Sequence, residues 1–309
     1  METISIIVPV YNEEETIQIY YNEACKYLDN NHIFNIIFVD DGSRDKTLEI
    51  CKSLSEKDSR VKYVSFSKNF GKEAAMYAGL EASQNLNSDA AIIMDVDLQD
   101  PPSLIPEFIQ KHDLGYKLIY AKQKDKKKAK KLSRFFAKWF YRFYTHFTCD
   151  KQMTDGSRDF CLLDKKVIAA FLSIKDKNRF TKGLYHFVGF KTTTIEFEYQ
   201  SRSAGTTKWS FKKLLKYGLS GIDEFSDWLR IVPKGIGLVW FVIFIIDLIK
   251  QIYNQINYQW FDFMPIRIDL AVISVCVVSY YIIKLIYQVL DEARERPIYI
   301  CEESNIETE

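Results

Sequence analysis

Clustered sulfur and imidazole ligands are missing from this chain of 309 residues. Its six cysteines (Cys25, Cys51, Cys149, Cys161, Cys276 and Cys301) form no Cys-x-x-Cys, and its four histidines (His32, His112, His146 and His186) stand apart. That spacing excludes an ordinary zinc site and a disulfide framework, and it suits reduced, cytosol-facing protein. Charge of one sign is also lacking. The net charge is +1, which names no partner. No Gly-x-Gly-x-x-Gly follows the first apolar run and no Gly-Lys-Ser/Thr loop occurs, so neither a dinucleotide oxidoreductase nor a P-loop NTPase is supported. The first residues, METISIIVPVYN, show no basic region leading into an apolar core, so no cleavable signal is expected.

What is present begins with apolar bulk: 47% of residues are hydrophobic and 15% aromatic, ample for a core. Charge is unevenly spread. Residues 122–131 (KQKDKKKAKK) are strongly basic, basic residues recur from Arg202 to Lys234, and the last nine residues are acidic. The lysine run reads either as a solvated loop or as a strip facing anionic headgroups or phosphates. No stacking-aromatic and glycine pattern of an RNA-binding sheet accompanies it, so nucleic acid is not expected as a partner.

Apolar runs at Ile4–Val10, Ile36–Val39, Val61–Phe66, Ala90–Met94 and Leu118–Ala121 predict strands. Helical spacing fills the gaps at Glu14–Leu28, Lys46–Leu54, Lys72–Ala82 and Leu104–Ile109. Strands alternating with helices predict an α/β domain, a mostly parallel sheet covered on both faces. Ligands of such sheets sit at the carboxyl ends of the strands. There the sequence places Pro9-Val10-Tyr11-Asn12-Glu13, Asp40-Asp41-Gly42-Ser43, Asn69-Phe70-Gly71-Lys72 and Asp95-Val96-Asp97-Leu98-Gln99. Four polar tips are therefore expected along one edge. If the fourth strand runs on through Asp95 and Asp97, those side chains share a face and converge on one hard cation, Mg2+ or Mn2+, with the Gln99 amide oxygen beside them. A solvated turn after a buried strand is the other reading of the same residues.

Taken together, VPVYNEEE (Val8–Glu15), VDDGSRDKT (Val39–Thr47), SKNFGKEAA (Ser67–Ala75), MDVDLQDPP (Met94–Pro102), RDFCLLD (Arg158–Asp164), NRFTKGLYHFVGF (Asn178–Phe190) and RSAGTTKW (Arg202–Trp209) run in order over nearly the whole chain. This set resembles the inverting family 2 glycosyltransferases of GT-A, Rossmann-like fold. Within them it is similar to the polyprenyl-phosphate sugar transferases, the dolichol-phosphate mannosyltransferases and bacterial undecaprenyl-phosphate glucosyltransferases. A processive polysaccharide synthase would add a Gln-x-x-Arg-Trp motif, which is absent.

The resemblance implies transfer of a sugar from a nucleotide sugar, UDP-glucose or UDP-N-acetylglucosamine, to polyprenyl phosphate for cell-envelope glycan modification. It implies that Asp95, Asp97 and Gln99 hold Mg2+ or Mn2+ and that Pro9, Tyr11, Glu13, Asp41, Lys72 and Asp95 meet the donor. Arg202 and Lys208 would close over the donor diphosphate. Asp97 and Asp159 would be catalytic, and Ser133, Arg134 and Arg158 would meet the acceptor phosphate. Two positions depart from the family pattern: Arg158 stands where glycine is common and Cys161 where arginine is common. The aromatic, basic segment Arg134–Thr148 reads as a core helix or as a lipid-surface helix.

The boundaries expected are a catalytic domain at 1–208, juxtamembrane amphipathic helices at 209–230, two transmembrane helices within 231–290 and an acidic cytoplasmic tail at 291–309. Residues 231–253 and 268–290 each approach the ~20 residues a span requires. The first carries Lys234, Asp247 and Lys250, the second Asp269 and Lys284, so two buried helices on the α/β domain are the other reading. Basic residues flank the pair while only Arg267 lies between, which places both termini in the cytoplasm. Asp247 is costly to leave facing lipid, so it is expected to meet Lys250 or another subunit in a homo-oligomer. Two further functions stay open: a catalytically weak scaffold for another membrane protein, and a GT-A enzyme with a non-lipid acceptor.

Overall fold

The computed structural model describes residues 1–123, 157–174, 181–198, 264–293 and 297–306, with scattered helical positions between 236 and 256. The chain divides into two compact units. Met1–His146, Asp150–Gly221 and Pro297–Glu309 form the first; Phe147–Cys149 and Ile222–Arg296 form the second.

The first unit is built on eight strands: β1 (Thr3–Val10), β2 (Ile33–Asp40), β3 (Val61–Phe66), β4 (Ala90–Ile93), β5 (Leu118–Gln123), β6 (Ser157–Asp164), β7 (Thr192–Phe197) and β8 (Cys301–Ser304). They lie in the order β7-β5-β6-β4-β1-β2-β3-β8. β4, β1, β2 and β3 run parallel, β6 is antiparallel to β4 and β5, and β8 is antiparallel to β3. The α/β sheet is thus mostly parallel, as expected. Ile4, Ile6, Ile7 and Val8 of β1 are fully buried in sequence, which a strand achieves only when both faces of its sheet are covered. The cover comes from α1 (Ile17–Ala24), α2 (Thr47–Lys57), α3 (Lys72–Asn85), α4 (Ile105–Asp113), α5 (Lys165–Ser173) and α6 (Thr181–Phe187).

The strands and helices expected before residue 123 all form, with ends moved by a few residues. One of those shifts matters. β4 stops at Ile93, so Asp95 and Asp97 sit on the loop beyond it, and strand alternation does not put them on one face. The buried Asp100 carboxylate accepts the Asp95 amide at 3.2 Å, Asp97 accepts the Gln99 amide at 3.1 Å, and Leu98 adopts φ 58°. Backbone-to-carboxylate bonds of this kind favour a turn over a strand.

The amino end of the sheet is locked by charge. Asp164 caps α5 through the Lys166 amide and meets the His112 ring at 3.0 Å and the Lys117 ammonium at 2.7 Å. Asp89 accepts the Thr3 amide at 3.1 Å and pairs with Lys165 at 2.7 Å.

In the second unit α7 (Met264–Ala293) contains Ile273–Leu290, whose mean hydropathy is 1.8 and none of which is buried. Among the described residues it is the one helix long and apolar enough to cross a membrane. The first expected span falls mostly outside the described residues, so the two-span expectation is met here by one helix. The positions that are described there, Leu238, Val242 and Ile249 among them, are helical and exposed, and the Trp240 indole donates to Ser274. The amphipathic stretch 209–230 and the aromatic segment 134–148 lie outside the described residues.

α3 approaches the sheet closely because its inner face is Ala75, Ala78, Gly79 and Ala82. A Cβ at Gly79 would fall well inside van der Waals contact of the stiff Ile7 side chain and press on Val39. We therefore expect Gly79→Ala to lower unfolding free energy by about 1–3 kcal/mol, the usual range for overpacking, when measured by chemical denaturation. Unchanged stability would mean that α3 can lift without cost.

Candidate functional site

The four polar tips meet at the carboxyl edge of the parallel strands and are stitched to one another in order. Between the first and second, the Asn12 amide donates to Ser43 Oγ at 2.9 Å and the Arg44 amide donates to Asn12 Oδ1 at 2.8 Å. The Glu13 amide donates to Thr47 Oγ1 at 2.8 Å, while the Glu13 carboxylate accepts the Thr16 hydroxyl at 2.8 Å. Pro9 lies within β1 opposite Val39, and Tyr11 follows at its tip.

Asp41 joins the second tip to the third. Its carboxylate accepts the Phe70 amide at 2.6 Å and the Gly71 amide at 3.0 Å, fixing the turn that opens α3. Gly42 has φ 67°, and any Cβ there would strike the backbone at Lys68 and Asn69, so this crossing needs glycine. Burial pushes the Asp41 carboxyl up to about 6, against the pull of the Phe70 and Gly71 amides and with the neighbouring Asp40 charge adding to the rise. Asp40 itself accepts the Ser43 amide at 3.1 Å and the Ser65 hydroxyl at 3.0 Å.

Lys72 joins the third tip to the fourth and to β6. Its ammonium stands 2.6 Å from Asp95 Oδ1 and 3.0 Å from Asp159 Oδ2. Burial would lower the Lys72 pKa, yet the Asp159 and Asp95 charges raise it well above the usual lysine value, so it stays protonated. The register explains the meeting. Ile93, the last residue of β4, pairs with Cys161 across antiparallel strands, so the loop that carries Asp95 leaves β4 alongside β6 near Asp159. On its other side β6 sets Arg158 to Phe160 against Ala121 alone, an irregularity beside the site of the kind that re-aims a side chain. Asp159 therefore stands on a strand in an ion pair, and Lys72, expected to meet the donor, faces two carboxylates.

Cys161 is fully buried, its Sγ 3.3 Å from the Asp159 carbonyl and 3.1 Å from the Tyr185 hydroxyl, so its single S–H is satisfied within the protein. Sealed in that way, position 161 offers nothing to an acceptor. Thr181 of α6 donates to Glu73 in the first turn of α3, bracing the same corner. Ser133, Arg134, Arg202 and Lys208 lie outside the described residues, as does the Arg158 side chain.

A pocket of about 220 Å3 opens between the first three tips, lined by Tyr11, Asp40, Gly42, Arg44, Phe66, Lys68 and Asn69 among others. Glu302, from the far end of the chain, lines it too. Sequence reasoning missed Asp100, Tyr185 and Glu302. Asp100 had a local signal, a carboxylate just before Pro101-Pro102; the other two are brought in by tertiary contacts.

Half-exposed Asp95 and partly buried Asp97 and Gln99 present hard oxygen donors on one short turn, a donor set that fits Mg2+ or Mn2+.

Residues 5–172 match the model of glycosyl transferase family 2. An uncharacterized glycosyltransferase of Bacillus subtilis (strain 168), YkcC, is 35% identical over 97% of this chain and 93% of its own length. The prophage bactoprenol glucosyl transferase homolog of Escherichia coli (strain K12) is 37% identical over 76% of each chain. Glucosyl-3-phosphoglycerate synthase from Mycobacterium tuberculosis, solved with Mn2+ and uridine-diphosphate-glucose, aligns at TM-score 0.48 and 17% identity over 71% of this chain and 76% of that one.

With the Asp41 pKa raised above its unfolded value near 3.8, the folded chain holds this proton more tightly than the unfolded chain does. Its contribution to stability is therefore greatest below about pH 4 and falls as pH rises to about 6. Asp41→Asn, which keeps an acceptor for the two amides, should gain on the natural protein by about 1–3 kcal/mol between pH 4 and pH 7 in denaturant unfolding. Parallel pH profiles for the two proteins would refute the assignment.

Proposed function

We propose, for a chain that belongs to glycosyl transferase family 2 and is a glycosyltransferase, that it moves a sugar from a nucleotide sugar to a polyprenyl phosphate at a membrane surface. The observation that carries this reading is the joining of a nucleoside-sized pocket to the Asp95–Lys72–Asp159 cluster by one loop, Ser67–Gly71, at the carboxyl edge of the sheet. Relatives named bactoprenol glucosyl transferase support the lipid acceptor and favour glucose as the sugar.

In this reading Tyr11 and the backbone around Gly42 flank the base and ribose, with Pro9, Glu13 and Asp41 holding the tips that shape the pocket. Asp95, Asp97 and Gln99 would hold Mg2+ or Mn2+. Such an ion supplies charge to a diphosphate leaving group. Lys72, kept cationic by its two carboxylates, fixes Asp95 and Asp159 relative to one another. Arg202 and Lys208 would add positive charge over the diphosphate, and Ser133, Arg134 and Arg158 would receive the acceptor's phosphate.

The acceptor is a phosphate monoester whose second pKa is about 6, so at neutral pH it is already largely a dianion. One of its oxygens forms the new bond to the anomeric carbon as the bond to the nucleoside diphosphate breaks on the opposite face. The electron pair leaves with the diphosphate and the anomeric configuration inverts. No proton has to be removed. Asp159 accordingly positions and electrostatically tunes the acceptor.

The apolar, unburied surface of Ile273–Leu290 needs a non-aqueous cover, which a bilayer provides. With the exposed helical positions between 236 and 256 it supports a two-span anchor, which we place with both ends cytoplasmic, after interfacial helices at 209–230 and between the two pieces of a catalytic domain made of 1–208 and, in place of the expected free acidic tail, the β8 segment Pro297–Glu309. Asp247 supports self-association through the spans.

The test is transfer of radiolabelled sugar from a panel of nucleotide sugars into an organic-extractable lipid, by membranes containing the protein, undecaprenyl phosphate and Mn2+ or Mg2+. Label is expected from one donor, lost with EDTA and reduced by about 100-fold or more in Asp97→Ala. Asp159→Asn should lose less than the roughly 100-fold that removal of a general base brings. Complete loss in Asp159→Asn with substrate binding intact would overturn its positioning role, and no label from any donor would overturn the reaction.

A further inference from the structure

The acidic stretch at the end of the chain is part of the catalytic sheet. Following α7, which ends at Ala293, the chain adds β8 to the free edge of β3. The attachment is extensive. Tyr299 stacks on Phe66 with ring centroids 4.7 Å apart and donates to Glu81. The Ser67 amide donates to the Ile300 carbonyl at 3.2 Å, and Asn305 Oδ1 accepts the Tyr63 amide at 2.7 Å. Glu303 pairs with Lys52.

Within this attachment one residue is out of register. Ser65 pairs with Glu303 and Phe66 with Cys301, leaving Glu302 as the extra residue of a bulge. A bulge turns its unpaired side chain out of the regular alternation. Glu302 lines the pocket formed by the first three tips, together with Tyr11, Ser67 and Lys68. Among the described residues its carboxylate makes no hydrogen bond or ion pair, while the Asp40 carboxylate in the same pocket is engaged by Ser43 and Ser65.

We infer that Glu302 is a nucleoside-recognising residue of the donor pocket, its carboxylate accepting a hydrogen bond from the ribose hydroxyls or a base N–H. The inference rests on the reading of this pocket as the nucleotide-sugar site. Carboxylates repel phosphates and accept only from neutral donors or cations, so the contact belongs to the nucleoside half of the donor. β8 serves as the wall that holds it in place, and donor selection depends on a residue distant in sequence from the rest of the pocket, which spans Tyr11 to Asn69.

The test is binding of uridine diphosphate, with the guanosine, adenosine, cytidine and thymidine diphosphates in parallel, to the full chain in detergent with Mg2+, comparing the natural protein with Glu302→Gln. The expected result is a Kd raised about tenfold or more for the nucleotide the natural protein prefers, as for loss of a charged hydrogen bond. Affinity for inorganic pyrophosphate should hold or tighten, because a negative charge has been removed. The thermal midpoint should not move, since Glu302 is exposed. The 2′,3′-dideoxy nucleotide locates the contact: a Glu302→Gln effect that vanishes with it places the bond on the ribose, and one that persists places it on the base. Unchanged nucleotide affinity in Glu302→Gln, or equal weakening of pyrophosphate, overturns the inference alone. Failure of the natural protein to bind any of the nucleotides overturns the pocket reading along with it.

Discussion

One ammonium held by two carboxylates, Lys72 between Asp95 and Asp159, sets the geometry on which the candidate site depends. The three residues come from a helix start, a loop and an antiparallel strand; pairing of β4 with β6 brings the loop alongside, and this shared charge holds Asp95 and Asp159 together there. Exposed ion pairs are worth about 0–1 kcal/mol, whereas breaking a buried one costs about 3–5 kcal/mol. With the Lys72 side chain 27% exposed, this cluster lies between those limits. The Asp41 clamp on Phe70 and Gly71 supports it from behind, because it decides where α3 begins and so where Lys72 points.

Much of this was legible before any coordinates. The alternation of Val- and Ile-rich runs with helical spacing foretold the parallel strands and their cover, because burial on both faces leaves a continuous apolar trace in each strand. The meeting of the polar tips followed from the topology of such sheets, and Asp95, Lys72 and Asp159 were named individually. The Asp95 and Asp97 pair was right as a locus and wrong as a strand. Alternation says nothing about where a strand stops, and here Asp100 drew the Asp95 amide into a turn. β6, β7 and β8 were not foreseen. Their pairing partners lie far off in sequence, and β8 is a short polar run whose reason to be a strand is the free edge of β3.

Both acidic residues supplied from outside the parallel core arrive through irregular pairing. Asp159 sits where β6 sets three residues against one, and Glu302 is the extra residue of β8. The departure at Cys161 is equally local in its logic. At that position a small, weakly polar side chain fills a dry corner against Tyr185, and recognition of an acceptor phosphate is left to other residues.

β8 also bears on how the protein comes into being. A ribosome adds roughly 5–20 residues per second, and N-terminal structure generally forms first. The strands through β4 are therefore complete while two-thirds of the chain is still unmade, with β3 left as a bare edge. The partner for that edge is encoded after the apolar helix. A newly made chain thus acquires this wall of its pocket only once α7 has left the ribosome, so maturation of the site waits on the segment beyond that helix.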